Sequence, residues 1–171
     1  MVSHVERSRG ISLSVPEVSV RNLQRKIGIE IADLRTFASK AVRHCLALRK
    51  RKPTDLRNLS ELFIWLISDR RMSLLHRKFL GKPGTTDVIT FQHGEIFISI
   101  ETARRHVHAF GNSLLDEVKL YIVHGLLHLH GFDHQTRRAA DTMKAAERKV
   151  LRMCNGARSN ASRRIRLVKS H

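Results

Sequence analysis

The chain has 171 residues, 42% of them hydrophobic, which is the length and composition of one globular domain with a buried core. Its 32 Lys and Arg residues outnumber 15 Asp and Glu residues, so the formal net charge is +17 and polyanions are the expected partners. Cys45 and Cys154 are the only cysteines and form no paired motif, which excludes a disulfide-stapled scaffold and favours a reducing compartment.

Neither a targeting signal nor a membrane span is indicated by the sequence. Residues 1–20 contain no apolar run of the kind found in a secretory signal. The longest strongly apolar run, Leu62 to Ile67, is far shorter than the roughly 20 residues that cross a bilayer. We therefore expect a cytoplasmic protein that makes no contact with a membrane.

The N-terminal part of the chain predicts two strands and one helix after a polar arm. The first strand is expected from Val18 to Leu23. Apolar side chains recur at helical spacing from Ile31 to Leu48 and predict a helix with one buried stripe. Arg49 to Asp55 is a charged, Pro-broken loop, and two alternatives stay open for it: a solvated connection or a contact with nucleic acid. Glu61 to Ser68 is apolar at both alternating positions, which predicts a central strand covered on both faces.

The middle of the chain predicts a helix and a β-hairpin. Asp69 is a candidate cap for the helix, and the segment from Gly81 to Gly84 ends it. Two strands follow, from Thr86 to Phe91 and from Glu95 to Ile100, and they are close enough in sequence to form a hairpin. The apolar side chains expected on the inner side of the helix are Met72, Leu75 and Phe79.

The C-terminal part of the chain predicts three helices and a basic tail. The first helix is expected from Glu101 to Phe110. Ser113-Leu-Leu-Asp116 has the spacing of a capping box and opens the amphipathic run from Glu117 to His130. A last helix is expected from Thr136 to Met153, and Asn155 to His171 is predicted to be a disordered basic tail.

A histidine-rich segment, His124-Gly-Leu-Leu-His-Leu-His-Gly-Phe-Asp-His134, is the candidate functional site. His124 and His128 are four residues apart, so a helix projects both side chains from one face. Gly131 favours the left-handed conformation that ends a helix, and a short turn can then bring His134 back to the same point. Three nitrogen donors with a fourth position open are typical of a catalytic zinc ion. The pattern therefore predicts one Zn²⁺ ion at the C-terminal end of this helix.

The same spacing occurs in the metzincin proteases, but one residue of their motif is missing. Where those enzymes have a glutamate general base, this chain has Gly125, which cannot exchange a proton with water. We expect Gly125 to face the metal, where a glutamate would repel an anionic substrate. Ordinary zinc-protease chemistry is therefore excluded, whereas metal binding is retained.

Asp133 and His130 are neighbours of the predicted ligands. Asp133 is the candidate catalytic residue, with three alternatives: it orients a histidine, it handles protons, or it only caps the turn. His130 lies about 240° from His124 around the helix, so its side chain is expected to point away from the metal. His130 therefore leaves the fourth zinc position open.

The order of elements predicts an α+β fold, a single domain in which helices flank a mixed β-sheet. Three regions are expected along the chain. Residues 1–17 form the polar arm, residues 18–154 form a metal-dependent hydrolase domain, and residues 155–171 form the basic tail.

Three segments carry a resemblance to a known family. Thr86-Asp-Val-Ile-Thr-Phe91, Gly94-Glu-Ile-Phe-Ile-Ser99 and the histidine-rich segment resemble, in order and spacing, those of the YbeY family of bacterial rRNA-maturation endoribonucleases. The resemblance implies that His124, His128 and His134 are zinc ligands. It also implies a single-strand-specific, metal-dependent endoribonuclease acting in 16S rRNA maturation and ribosome quality control. The expected partners are ribosomal RNA and the small ribosomal subunit or its proteins.

The chain departs from the family pattern just before the first of these segments. The family often has an aromatic residue followed by an Arg implicated in activity, whereas here Phe79 is followed by Leu80. Arg77, Lys78 or Lys82 could supply the positive charge, or these residues could be solvated charges at the end of a helix.

Two alternative functions remain open from the sequence. One is a zinc hydrolase of another substrate, which the missing glutamate and the charge of +17 oppose. The other is a non-catalytic, ribosome-associated RNA-binding protein with a structural zinc, which the absence of a fourth predicted ligand opposes. The nucleophile is also open between a hydroxide and the 2′-hydroxyl of the RNA.

Overall fold

The computed structural model describes residues 15–50, 52–110 and 113–167. Its helices and strands follow one another in mixed order, as the sequence predicts. They are β1 (Glu17–Asn22), α1 (Ile31–Leu46), α2 (Asp55–Asn58), β2 (Glu61–Ile67), α3 (Asp69–Leu80), β3 (Val88–Phe91), β4 (Glu95–Ser99), α4 (Ile100–Phe110), α5 (Leu114–Leu129) and α6 (Arg137–Leu167).

The four strands form one mixed sheet in the order β1-β2-β4-β3. β1, β2 and β4 run parallel to one another, whereas β3 is antiparallel to β4. The turn between β3 and β4 uses Gly94, whose φ is 99° and whose amide donates to the Phe91 carbonyl at 3.0 Å. The predicted hairpin and the predicted α+β class, with helices flanking a mixed sheet, are therefore confirmed.

The main core lies between the inner face of the sheet and helices α1, α5 and α6. Because side chains alternate along a strand, Ile64 of β2 and Ile96 and Ile98 of β4 all point into this core, where they are fully buried. They belong to the same cluster as the buried stripe of α1, which includes Leu34 and Val42. Burying each such side chain contributes about 1.5–3 kcal/mol to stability. This packing fixes α5, the helix that carries the first two histidines, against the sheet.

The outer face of the sheet is covered less completely. Met72 of α3 packs there against Ile67 and Ile89 in a smaller buried cluster. Trp65 of β2 is only half-buried, so the prediction of a strand covered on both faces holds fully for the inner face alone. Phe79, predicted on the inner side of α3, is 51% exposed, because the last turn of α3 lies beside β3, the outermost strand of the sheet in the described part of the chain.

The start of α3 differs from the expected cap. Ser68 is the capping residue, since its hydroxyl accepts a hydrogen bond from the amide of Arg71 at 3.4 Å. Asp69 is the first residue of the helix. Its carboxylate accepts hydrogen bonds from two residues of α4, Thr102 at 2.7 Å and Arg105 at 2.5 Å. The predicted Asp69 cap is therefore wrong.

The end of the chain also differs from the prediction. α6 continues beyond Met153 to Leu167, so residues 155–167 are helical and not a disordered tail. The segment is rich in Arg and Ala, which favour helix, and it contains no proline that would stop one. The domain boundary expected at residue 154 is consequently not a boundary of secondary structure. Residues 1–14 of the polar arm and residues 168–171 lie outside the described part of the chain.

Both cysteines are packing residues of the main core. Cys45 and Cys154 are both buried and free, and burial raises the pKa of Cys45 to about 12 and that of Cys154 to about 11, so both thiols are unreactive. Among the described helices, none combines the length and the apolar content that crossing a bilayer requires.

Candidate metal centre

The helix that carries the first two histidines begins and ends as its sequence predicts. The Ser113 hydroxyl caps α5 by accepting from the amide of Asp116 at 3.1 Å, which confirms Ser113 as the N-cap of the predicted capping box. The helix ends at Leu129, and Gly131 follows with a φ of 75°, a left-handed conformation that glycine adopts at little cost. This turn brings His134 back toward the last two turns of α5.

The structure brings together all three histidines that the motif predicts. Each of His124, His128 and His134 offers a ligand atom, and these three atoms lie within 4.8 Å of one another. The Nε2 atoms of His124 and His128 are 3.0 Å apart. His124 and His128 are half-buried and His134 is exposed, so the cluster is anchored in the fold and open to solvent on one side.

Hydrogen bonds to the outer ring nitrogens set the orientation of two of the histidines. Nδ1 of His124 lies 2.7 Å from a carboxylate oxygen of Glu147, and Nδ1 of His128 lies 3.1 Å from the carbonyl oxygen of Phe132. Because a carboxylate and a carbonyl only accept, both Nδ1 atoms carry the proton and both Nε2 atoms present a lone pair. Two lone pairs that face each other at 3.0 Å repel unless a cation lies between them. The donor set therefore fits a divalent metal such as zinc.

The surroundings of His128 favour its neutral form, which can bind a cation. Burial lowers the pKa of His128, and the neighbouring His124 and His134 lower it further. A neutral His128 at physiological pH retains the lone pair that a metal requires.

His130 lies outside the cluster, as its position on the helix predicts. Its side chain is fully buried, with Nδ1 3.1 Å from the hydroxyl of Thr54 and Nε2 2.9 Å from the carbonyl oxygen of Leu48. These contacts tie the loop after α1 to the C-terminal end of α5. His130 is therefore a structural residue of the turn that precedes His134.

Lys50 adds a second connection between the same loop and the same turn. Its Nζ atom donates to the carbonyl of Gly131 at 2.7 Å and lies 3.6 Å from the centre of the Phe132 ring. Phe132 is the residue whose carbonyl orients His128. Lys50 is therefore engaged within the protein, whereas Arg49 and Lys52 of the same loop are exposed.

Asp133 makes a hydrogen bond within its own turn, as its turn-capping alternative predicts. Its carboxylate accepts from the amide of Gln135 at 3.1 Å, which stabilises the turn itself. The carboxylate that orients a histidine is Glu147, which the sequence analysis missed. The position of Glu147 on α6 could have predicted this role. Glu147 lies on the inward face of the helix, and an acid on that face needs a hydrogen-bond partner inside the protein. The buried residues of the same face are Met143, Ala146 and Val150.

Gly125 faces the sheet and not the metal centre, so that expectation is wrong. A Cβ atom placed on Gly125 would lie 2.9 Å from two methyl carbons of Ile96 and 3.0 Å from the hydroxyl of Thr90. The residue is glycine because α5 approaches β3 and β4 so closely that any side chain would displace Ile96 or Thr90. A glutamate at this position is excluded by packing, whatever charge the substrate carries.

The three histidines line a cleft of about 990 Å³ bounded by α5, α6 and the edge strand β3. Lys82 and Lys144 contribute positive charge to its wall, and Leu80 also lines it. Three acids also line the cleft, namely Asp55, Asp87 and Glu147. Glu147 is hydrogen-bonded to His124, which leaves Lys82, Lys144, Asp55 and Asp87 as the other acidic and lysine residues that line the cleft.

Comparisons with known proteins agree with the resemblance seen in the motifs. A family model described as "Endoribonuclease YbeY" matches residues 19–155. A protein of that name from Leptospira biflexa is 36% identical over 113 residues, which cover 58% of this chain and 73% of the relative. Another from Nautilia profundicola is 35% identical over 115 residues, covering 61% of this chain and 81% of the relative.

A solved structure supports the fold independently of close sequence similarity. The solution structure of a protein from Thermotoga maritima matches with a TM-score of 0.55 and 23% identity, covering 85% of this chain and 95% of that chain. The family model spans the sheet, the cleft and all three clustered histidines. This chain therefore belongs to the YbeY family.

Proposed function

We propose that this protein is a zinc-dependent endoribonuclease that cleaves single-stranded RNA and acts in 16S rRNA maturation and ribosome quality control in the cytoplasm. One Zn²⁺ ion would be held by His124, His128 and His134. Ribosomal RNA would be the substrate, and the small ribosomal subunit or its proteins would be the partners. The observation that carries the proposal is the convergence of three imidazoles on one side of an open cleft in a chain with a net charge of +17.

The donor set and the charge favour phosphodiester cleavage over other hydrolytic reactions. When bound, zinc supplies a Lewis acid that lowers the pKa of water toward about 7 and polarises a phosphoryl oxygen. The three clustered histidines would provide three ligands and would leave a position for substrate or water. No carboxylate is available at Gly125 to serve the peptide chemistry of the metzincins.

The protein's own groups would orient the histidine ligands and neutralise the charge of the RNA phosphates. Glu147 and the Phe132 carbonyl hold the rings of His124 and His128 so that both Nε2 atoms face the same point. Lys82 and Lys144 would neutralise the phosphates on either side of the scissile bond. Asp133 would maintain the turn that presents His134, so its substitution would act on the position of that ligand.

The test combines metal analysis with cleavage of defined RNA. Purified protein should contain one zinc per chain and cleave a labelled single-stranded ribosomal RNA fragment, but not the corresponding duplex. A chelator should abolish cleavage, and added zinc should restore it. His134→Ala should lose both zinc and cleavage, whereas His44→Ala, on α1 and outside the cluster, should retain both.

The alternatives predict different results in the same experiment. Bound RNA and bound zinc without cleavage would indicate a non-catalytic binding protein. Equal zinc content in the His134→Ala and His44→Ala variants would refute the ligand assignment.

A further inference from the structure

The outer face of the sheet, the face turned away from α5, carries a row of aromatic rings. Alternation along the strands sends Ile64 and Ile96 into the main core and their neighbours to the opposite face. Residues on the opposite face of β2, β3 and β4 include aromatic side chains. We call the resulting set the aromatic face; its members are Phe63, Trp65, Phe79, Phe91, His93 and Phe97.

The rings of the aromatic face are in continuous contact across three strands and one helix. The Phe63 and Trp65 rings are 5.8 Å apart with an angle of 11° between their planes, and Trp65 and Phe97 are 6.3 Å apart at 22°. Phe91 then meets Phe97 at 5.8 Å and Phe79 at 4.9 Å, both edge to face. The row thus extends from β2 to the edge of the sheet and onto the end of α3.

Packing under α3 accounts for only part of this arrangement. The buried members of the outer cluster are Ile67, Met72 and Ile89, and all three are aliphatic. The strand aromatics Phe63, Trp65, Phe91 and Phe97 remain half-buried, and Phe79 is 51% exposed. A contiguous, solvent-accessible patch of this kind marks an interaction surface.

The charges around the rings suit an anionic partner that presents flat groups. Lys78 places its Nζ atom 5.2 Å from the centre of the Phe79 ring, and the exposed Arg21 is the register neighbour of Trp65 on β1. The acid among the rings, Glu95, is engaged by Trp65 Nε1 at 3.0 Å and by His93 at 2.9 Å. The exposed Glu61 lies at the far end of β2, so the row becomes more basic toward α3.

The aromatic face and the metal cleft meet at β3 and at the end of α3. Thr90 lines the cleft, whereas Phe91, the next residue, belongs to the aromatic face. In the same way Leu80 lines the cleft and Phe79 belongs to the aromatic face. A flexible chain leaving the cleft therefore reaches the rings by crossing one edge strand.

We propose that the aromatic face is a stacking surface for unpaired bases of the RNA strand that flanks the bond held in the metal cleft. The inference rests on the proposed function and adds the source of its preference for single strands. A base can stack on a protein ring only when it is not stacked and paired in a duplex. The partner is thus single-stranded RNA, recognised through base faces and without dependence on sequence.

Trp65 allows a direct test because it is the only tryptophan in the chain. The full-length protein is titrated, in the presence of chelator to prevent cleavage, with a short fluorescently labelled oligoadenylate and with the matching A·U duplex. Binding is followed by the anisotropy of the label, and stacking by the fluorescence of Trp65. The single strand should quench Trp65 with the same midpoint as the anisotropy change, and the duplex should leave Trp65 unchanged.

Two variants on the same helix test the contribution of a ring. Phe79→Ala should weaken single-strand binding by roughly fivefold or more, the effect of losing one stacked base, and Phe79→Tyr should restore it. Leu74→Ala is the matched control, since Leu74 is 59% exposed on α3 and not aromatic, and it should bind like the parent.

Each other outcome has a defined meaning. Tight binding of the oligoadenylate with no change in Trp65 fluorescence, or equal affinities for the Phe79→Ala and Leu74→Ala variants, would overturn the stacking surface and leave the proposed nuclease intact. A Trp65 signal that depends on protein concentration without RNA would show that a second copy covers this face, which also overturns the inference. Absence of both RNA binding and RNA cleavage would instead refute the proposed function.

Discussion

Glu147 and His124 join the last helix to the metal centre through a hydrogen bond of 2.7 Å between a carboxylate oxygen and Nδ1. Both side chains are largely buried, with 14% of Glu147 and 27% of His124 exposed, so the ionised carboxylate is held where it can only accept. A carboxylate in this position fixes the tautomer and the orientation of the imidazole. α6 therefore contributes to the candidate metal centre through Glu147, which orients a predicted ligand.

Replacing Glu147 with alanine should weaken zinc binding by about 10–100-fold, because the His124 ring loses the partner that orients it. Glu147→Gln should restore much of the affinity, since the amide oxygen can still accept from Nδ1. Competition with a metallochromic chelator would measure both values. Asp141→Ala is the control, because Asp141 is an exposed acid on the same helix; an equal loss in that variant would mean that charge alone, and not the contact, matters.

The part of the site that sequence could predict is the part encoded locally. The capping box, the helical spacing of His124 and His128, and the turn at Gly131 all act within a few residues of one another. Local rules fix where each of these side chains points. The hairpin of β3 and β4 was predictable for the same reason.

The part that sequence could not predict depends on contacts between distant segments. Glu147 meets His124 across 23 residues, and Lys50 meets Gly131 across 81 residues. Nothing in the spacing of the histidines indicates either partner. The expectation that Gly125 faces the metal is wrong for a related reason. Only the close approach of α5 to Ile96 shows that Gly125 faces the sheet.

Replacing Lys50 with methionine should lower both stability and zinc affinity. Methionine keeps the apolar stem against Phe132 but removes the hydrogen bond to Gly131 and the cation over the ring, a loss of about 1–2 kcal/mol. Because the Phe132 carbonyl orients His128, we expect zinc to bind several-fold more weakly. Urea denaturation and chelator competition would measure the two effects. Lys52→Met, at an exposed position of the same loop, should change neither.

Replacing Gly125 with alanine should destabilise the protein by about 1–2 kcal/mol. Overpacking against Ile96 costs about 1–3 kcal/mol, and this outweighs the gain of up to about 1 kcal/mol in helix propensity. Gly156→Ala on α6 is the matched control: its Cβ would meet nothing within 4 Å, so the same substitution should stabilise. Combining Gly125→Ala with Ile96→Val should recover part of the loss, and no recovery would mean that the strain lies elsewhere.

Removing the two cleft lysines should make RNA binding less dependent on salt. Each phosphate neutralised on a single strand contributes about 0.7 to the log-log slope, so Lys82→Gln with Lys144→Gln should make the slope shallower by about 1.4. Lys149→Gln, at an exposed position of α6 that does not line the cleft, serves as the control. A slope equal to that of the parent would place the phosphates away from the metal centre.

Asp69 should give the stability of the protein a specific dependence on acid pH. Burial raises its pKa, but hydrogen bonds from Arg105, Ser99 and Thr102 outweigh that effect and lower the pKa from 3.8 to about 2. The folded state therefore favours the ionised carboxylate. Its stabilisation is present above pH 3.8 and is lost as the pH falls from there through about 2.

Asp69→Asn should accordingly cost about 1–2 kcal/mol near pH 7, once solvent screening of a part-exposed carboxylate is included. The difference between the two proteins should shrink as the pH falls below 3.8 toward 2, because the parent then becomes protonated as well. Urea denaturation across this range, with chelator present so that zinc release adds no pH dependence of its own, would measure it. A difference that stays constant down to pH 2 would show that the geometry of the amide, and not the charge of Asp69, limits stability.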